Sequence, residues 1–367
     1  MKTTPAAVGM LLGFATTLGA HPHHGPSTGA PAAAVRRQAP FGVSGEGAFR
    51  FRVRYTSEHL PQEARAVLEA AHGGFAVDRR PGRGEIYFAL PGAGIVQVAG
   101  DLGSTRMLPT PPQMRETNLH NTTIWYDAGG TAYLTFPAND AGVVYTTTLD
   151  GELVNALDAP TGDEDLGESR VADYFRVKGP FTPTDVDYLE GWLYVATGYS
   201  PLDTVLTARV AARDPLQLTW NDLSFGGRGS GAGQFGTGHG VTVWDGQIEI
   251  ADRPNAEVDR FTRYGHYTGT LELPAGSFPC DVDHLGSLAV VGALHGPDRN
   301  QGAPVYVLEG DRVVSTIRPK QDLGLDSFQH VHNAVFHRVN DVLYIVVQAW
   351  NPGDFAILEQ VREPRDD

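Results

Sequence analysis

From Phe235 to Gly269 the chain reads FGTGHGVTVWDGQIEIADRPNAEVDRFTRYGHYTG, with two apolar runs, Val241–Trp244 and Ile248–Ala251, split by Asp245-Gly246. Asp-Gly between β-rich runs predicts a tight hairpin. A polar tract, Asp252-Arg253-Pro254-Asn255, then leads to a third run that ends at Tyr264-Gly265. Strand, turn, strand, loop, strand is most of one propeller blade. The same pattern starts afresh near His72, His120, Thr184, His239, Cys280 and His332, so six units fill residues 72–362. Their period, roughly 40–60 residues, is blade length.

The last unit ends after about three strands. Residues 49–56 (FRFRVRYT) alternate apolar and basic, which predicts a strand with one wet face. That strand is available to complete the last unit and close the ring, removing the unpaired edges of an open one. Helical periodicity is convincing only over Ser57–Ala71, where Leu60, Ala64, Val67, Leu68 and Ala71 share a face. The expected fold is all-β, a six-bladed β-propeller over residues 45–367 with a short helix before its first blade.

Composition adds to this picture in a few places. The 367 residues include 44 Gly and 25 Pro, in keeping with many turns, and the net charge of −15 comes with no basic cluster. Nucleic-acid partners are not expected. Residues 1–20 read as a secretory signal, with Lys2 before the apolar stretch Ala6–Leu18 and cleavage after Ala20. That stretch is too short for a stable membrane span, and the expected location is secreted or extracytoplasmic. Residues 21–44, rich in Pro, Ala and Gly, read as a disordered linker. Cys280 is the sole cysteine, so stability must come from the core and from sheet closure.

The innermost strand of a blade starts beside the central channel. Aligning the six units there gives Gly73, His120, Thr184, His239, Cys280 and His332, with histidine in units two, four and six. Alternate blades of six lie roughly 120° apart, so three imidazoles can converge on the axis. Zinc suits such a tripod, three protein ligands leaving one position open; other first-row divalent metals also accept imidazole. The alternative for each histidine is a satisfied hydrogen-bonding residue at a strand start.

Tyr199 could move a proton or bond a substrate, or be a rim aromatic. Arg253 could clamp a carboxylate or form a blade-to-blade salt bridge. Asp185 and Asp281, in PTDVD and PCDVD, could orient histidines or cap strands. Cys280 could be a soft ligand or a buried thiol. His72 falls one residue out of register and is expected to pack against or cap the helix end. His330 is expected at the channel mouth, and His284, His295 and His337 at turns or outer positions. Asn121 begins a glycosylation sequon but is expected to be buried beside His120.

Phe225-Gly226-Gly227 followed by GAGQF, GVTV and IADRPN resembles the NHL repeat, which builds six-bladed propellers. With its three histidines, the chain is similar to the peptidyl-α-hydroxyglycine α-amidating lyase branch of those propellers. The resemblance implies zinc on His120, His239 and His332, with Tyr199 at the position of the family's tyrosine. The family's catalytic arginine falls at Leu90 or Pro91 here, its calcium-ligating acid is Asn333, and its disulfide cysteines are absent, so calcium is only weakly implied. A metal-dependent lyase-like enzyme acting on a small-molecule or peptide substrate in the central channel is one expectation. The other is a non-catalytic NHL-type propeller that binds a protein or carbohydrate.

Overall fold

The computed structural model describes residues 42–362. The expected signal at 1–20, and all but the last three residues of the expected linker at 21–44, lie outside these residues. Six antiparallel sheets follow one another along the chain, five of four strands and one of five. Their innermost strands are Ala76–Val77, Thr123–Tyr126, Asp185–Leu189, Gly238–Trp244, Pro279–Leu285 and Val331–Val339. These six pack side by side around the axis, the last against the first. The fold is the six-bladed propeller read from the repeat. Blades are numbered 1–6 in that order.

Period-two patterning explains the packing. Both faces of a blade are covered, so both sets of alternate residues are apolar. In blade 6, Leu343, Ile345 and Val347 face blade 5, while Val346 faces blade 1. Among the described residues six hydrophobic clusters result, each filling the gap between two neighbouring blades.

Blade 6 closes the ring as the pattern requires. Phe49–Thr56 pairs antiparallel with Asp354–Gln360, and Val43–Glu46 adds a further, outermost strand. Phe51 of the closing strand is fully buried among residues of blades 5 and 6. In the Asp-Gly hairpin of blade 4, Asp245 and Gly246 both have positive φ, 48° and 73°, the backbone of a type I′ turn.

The predicted helix is shorter than the pattern suggested. Residues 57–71 divide into 3-10 turns at Ser57–His59 and Leu68–Ala70 around an α-helix at Gln62–Val67. Pro61 lacks the N–H to continue a helix from Ser57, so the helix restarts after it. Leu60, Ala64, Leu68 and Ala71 still bury together between blades 6 and 1.

Candidate metal centre

His120, His239 and His332 arrive at the axis from blades 2, 4 and 6. In blades 4 and 6 the strand register slips by one at the histidine: His239 lies between the Gly238–Asp252 and Gly240–Ala251 pairs, and His332 between Val331–Ala349 and Asn333–Gln348. Cys280 takes the same bulged position in blade 5. A bulge re-aims the extra residue. Gly240, just after His239, permits close approach of blade 5, since a Cβ there would stand 2.5 Å from the Cys280 carbonyl oxygen.

The three imidazoles are buried and meet edge to face, with ring centroids 4.7, 4.8 and 5.0 Å apart. Each donates its Nδ1–H to the backbone carbonyl at the ring position of the next blade. His120 donates to Thr184 at 2.6 Å, His239 to Cys280 at 2.7 Å and His332 to Gly73 at 2.7 Å. All six ring positions are therefore used, imidazole and carbonyl in alternation. With the proton on Nδ1, each Nε2 presents a lone pair. The Nε2 atoms of His120 and His332 are buried with no hydrogen-bond partner, which is costly unless something else occupies the lone pairs. Burial pushes His120 down to about 3 and His239 and His332 well below the usual imidazole range. The His239 Nε2 lone pair accepts from the Tyr199 hydroxyl, while those of His120 and His332 are open. Neutral imidazoles held by outer carbonyls are the donor type that a borderline metal ion takes.

Tyr199 and Arg253 flank this cluster. The Tyr199 hydroxyl donates to His239 Nε2 at 3.2 Å and accepts from Arg253 Nη1 at 2.8 Å. Burial raises the Tyr199 phenol, and the guanidinium opposes that shift. Arg253 is 6% exposed, and its Nη2 donates to Cys280 Sγ at 3.1 Å. No carboxylate lies within ion-pair range of it among the described residues, so the expected blade-to-blade salt bridge is not formed. The reason is position: the end of the second strand turns the side chain inward to the axis.

The aspartates of the twin motifs do other work than orienting histidines. Asp185 accepts from the Val241 backbone N–H, and Asp281 from Val282 N–H, the Thr242 hydroxyl and the Asn333 amide. They tie the inner strands of blades 3 to 6 to one another, while backbone carbonyls orient the imidazoles. With Asp187, Asp283 and Arg79 they line a cavity of about 450 Å³. Burial raises Asp185 well above the carboxylate range, with Asp281 adding to it, and raises Asp187 and Asp281 to about 7.

Three other histidines correct the sequence reading. His72 lies against the cluster, its ring centroid 4.6 Å from both His120 and His332. It comes from the irregular segment before blade 1, where no strand register marks it. His337 is buried on the innermost strand of blade 6 and bonds the Gly100 carbonyl. His284 stacks on Trp244 at the cavity wall and bonds Glu249 at 2.7 Å. Neither is an outer position. Asn121 is buried as expected.

No helix among the described residues is long and apolar enough to cross a membrane. The chain matches no family model and no curated protein. Among solved structures, a streptogramin B lyase aligns at 11% identity over 80% of this chain and 95% of that chain, with a TM-score of 0.47. The virginiamycin B lyase of Staphylococcus aureus aligns at 10% identity over 78% and 94%, with a TM-score of 0.43. BBS1N in complex with ARL6DN aligns at 12% over 80% and 78%, with a TM-score of 0.42.

Proposed function

We propose that this propeller is a metal-dependent, lyase-like enzyme whose metal, zinc or another first-row divalent ion, is bound by imidazoles at the channel entrance. One observation carries this reading. Three neutral buried imidazoles converge with every Nδ1–H held by a carbonyl, and two of their Nε2 atoms are left without any partner. A hydrogen-bonded structural role would satisfy those atoms.

A bound divalent ion supplies Lewis acidity and an acidified oxygen ligand. The chain's own groups supply the rest. Tyr199 stands against His239 Nε2 and under the Arg253 guanidinium, placed to take or return a proton from a substrate hydroxyl. Arg253 carries a buried positive charge with no carboxylate beside it, so a substrate carboxylate has a partner there. A peptidyl-α-hydroxyglycine offers both groups, which fits the resemblance to the α-amidating lyases. The site lacks that family's first-blade arginine, and Arg253 of blade 4 is the cation present instead.

Elemental analysis of the purified protein beside His239→Ala tests the metal. The wild type is expected to carry close to one equivalent and the variant much less. No stoichiometric metal in the wild type would favour the non-catalytic, partner-binding propeller. With metal present, product formation from a peptidyl-α-hydroxyglycine tests the substrate; none would leave a lyase or hydrolase of unknown substrate.

A further inference from the structure

The cluster holds a fourth imidazole. His72 is partly exposed where the other three are buried, so it stands on the solvent side. Its centroid distances to His120 and His332, both 4.6 Å, match the spacing within the tripod. The candidate donor atoms of His72, His120 and His332 all lie within 4.8 Å of one another. The four rings thus form two triangles that share the His120–His332 edge, with His239 at one apex and His72 at the other.

The surroundings of His72 hold it there. Its ring stacks on Trp350 at 5.0 Å and 29°. The amide of Asn118 reaches His72 Nδ1 at 3.2 Å. Asn118 is 7% exposed, and its Oδ1 is a buried acceptor with no partner. The same Nδ2 of Asn118 donates to Asn139 Oδ1 at 3.3 Å, so with the Asn118 and Asn139 amides both turned over, Asn118 Oδ1 would accept the Nδ1–H of His72 and an N–H of Asn139. The lone pair of the neutral His72 ring is then on Nε2. The following residues keep the segment close. Gly73 gives its carbonyl to His332, and at Gly74 a Cβ would lie 1.6 Å from Asn121 Oδ1. One short loop therefore serves the site twice, through the His72 ring and through the Gly73 carbonyl.

We propose that His72 is a fourth imidazole ligand of the metal centre, oriented by Asn118. The proposal rests on the reading that the histidine cluster binds a metal at all. Four neutral ligands leave the ion's charge uncompensated, beside the unpaired cation of Arg253. Such a site favours an anionic substrate over a neutral one.

The test is Co²⁺ binding to the metal-stripped protein, followed through the visible absorption of the bound ion and by competition with a chelator. His72→Ala and His72→Gln are compared with wild type and with His332→Ala, with thermal melting as the check on folding. Loss of one ligand is expected to weaken Co²⁺ binding by more than the roughly 10- to 100-fold that loss of a ligand's hydrogen-bonding partner costs, and to change the visible band. Added imidazole is expected to restore the band in His72→Ala. Asn118→Leu, which keeps His72, is expected to give a smaller loss and decides the matter if both His72 variants fail to fold. Co²⁺ affinity and spectrum unchanged in the His72 variants, with binding lost in His332→Ala, would overturn the fourth ligand and leave the metal centre standing. No Co²⁺ or zinc binding by the wild type would overturn both.

Discussion

His332 of the last blade donates its Nδ1–H to the carbonyl of Gly73 in the first, at 2.7 Å. The bond spans the junction of blades 6 and 1, so the chemistry of the site and the closure of the ring share one contact. Metal on His332 Nε2 would fix that ring and hold the junction. Metal is therefore expected to raise the melting temperature. A ligand at 100 times its Kd stabilises by about 2.7 kcal/mol. In His332→Ala the increment is expected to vanish. Calorimetry with and without zinc reads this, and an equal metal-induced shift in the variant would refute it.

Arg253 is a buried cation without a carboxylate partner among the described residues. A buried charge without a counter-ion is costly, so an apolar side chain of similar length removes that cost and offsets the loss of the bonds to Tyr199 and Cys280. Arg253→Met is expected to melt no lower than wild type, while carboxylate-bearing substrates or inhibitors lose about 10- to 100-fold in affinity, the worth of a charged hydrogen bond. Arg253→Lys recovers charge but not the planar fork that meets Tyr199 and Cys280 together, so partial recovery is expected. Competition between small carboxylates and a neutral analogue measures it. Equal losses for both would show that Arg253 acts through packing alone.

The fold was legible because its evidence is repetitive. Six hairpins of period-two strands appear in turn, and Phe49–Thr56 alternates in the way a closing strand must. The convergence of His120, His239 and His332 was legible for the same reason, since each occupies one position of a repeat. What register could not show comes from outside it. His72 enters from the irregular segment after the helix, and periodicity says nothing about where such a side chain points. The carbonyls of Thr184, Cys280 and Gly73 are backbone groups and leave no mark in residue identity. Arg253 could be placed in its loop, but its inward turn depends on the end of a single strand. The break at Pro61 does have a local signal, since a proline after the first turn favours a fresh start over a continuous helix.

Gly74 packs against Asn121 so closely that an alanine Cβ would stand 1.6 Å from Oδ1 and 2.7 Å from Asn333 Nδ2. Either the Asn121 side chain or the whole His72–Phe75 segment must move. Gly74→Ala is expected to destabilise by about 2–3 kcal/mol, as overpacking in a closed interior does. It is also expected to weaken metal binding by displacing the Gly73 carbonyl from His332. Removing the obstacle should undo much of this, so Gly74→Ala with Asn121→Ala is expected to melt closer to Asn121→Ala alone than additivity allows. A double-mutant cycle in urea measures the coupling, and a value near zero would contradict it.

Asp203 ties the entrance of blade 4 to blade 3. Its Oδ1 accepts from the Gly238 N–H at 2.9 Å, one residue before His239, and its Oδ2 is buried without a partner. Burial raises this carboxyl from its ordinary 3.8 to about 7. The sign follows directly. Between those values the unfolded chain has released the proton that the folded chain keeps, so stability falls as pH rises through that window. Asparagine has no such proton, tolerates the φ of 48° found here, and can still accept from Gly238. Asp203→Asn should therefore gain on the wild type as pH rises from 5 to 8. The gain is on the order of 2 to 3 kcal/mol, at about 1.4 kcal/mol per unit of pKa shift still to be titrated over that range. Urea unfolding of both proteins at the two pH values reads this difference. Parallel pH dependence would mean that Asp203 is already ionised in the fold, and that some other group sets the pH response of the blade 4 entrance.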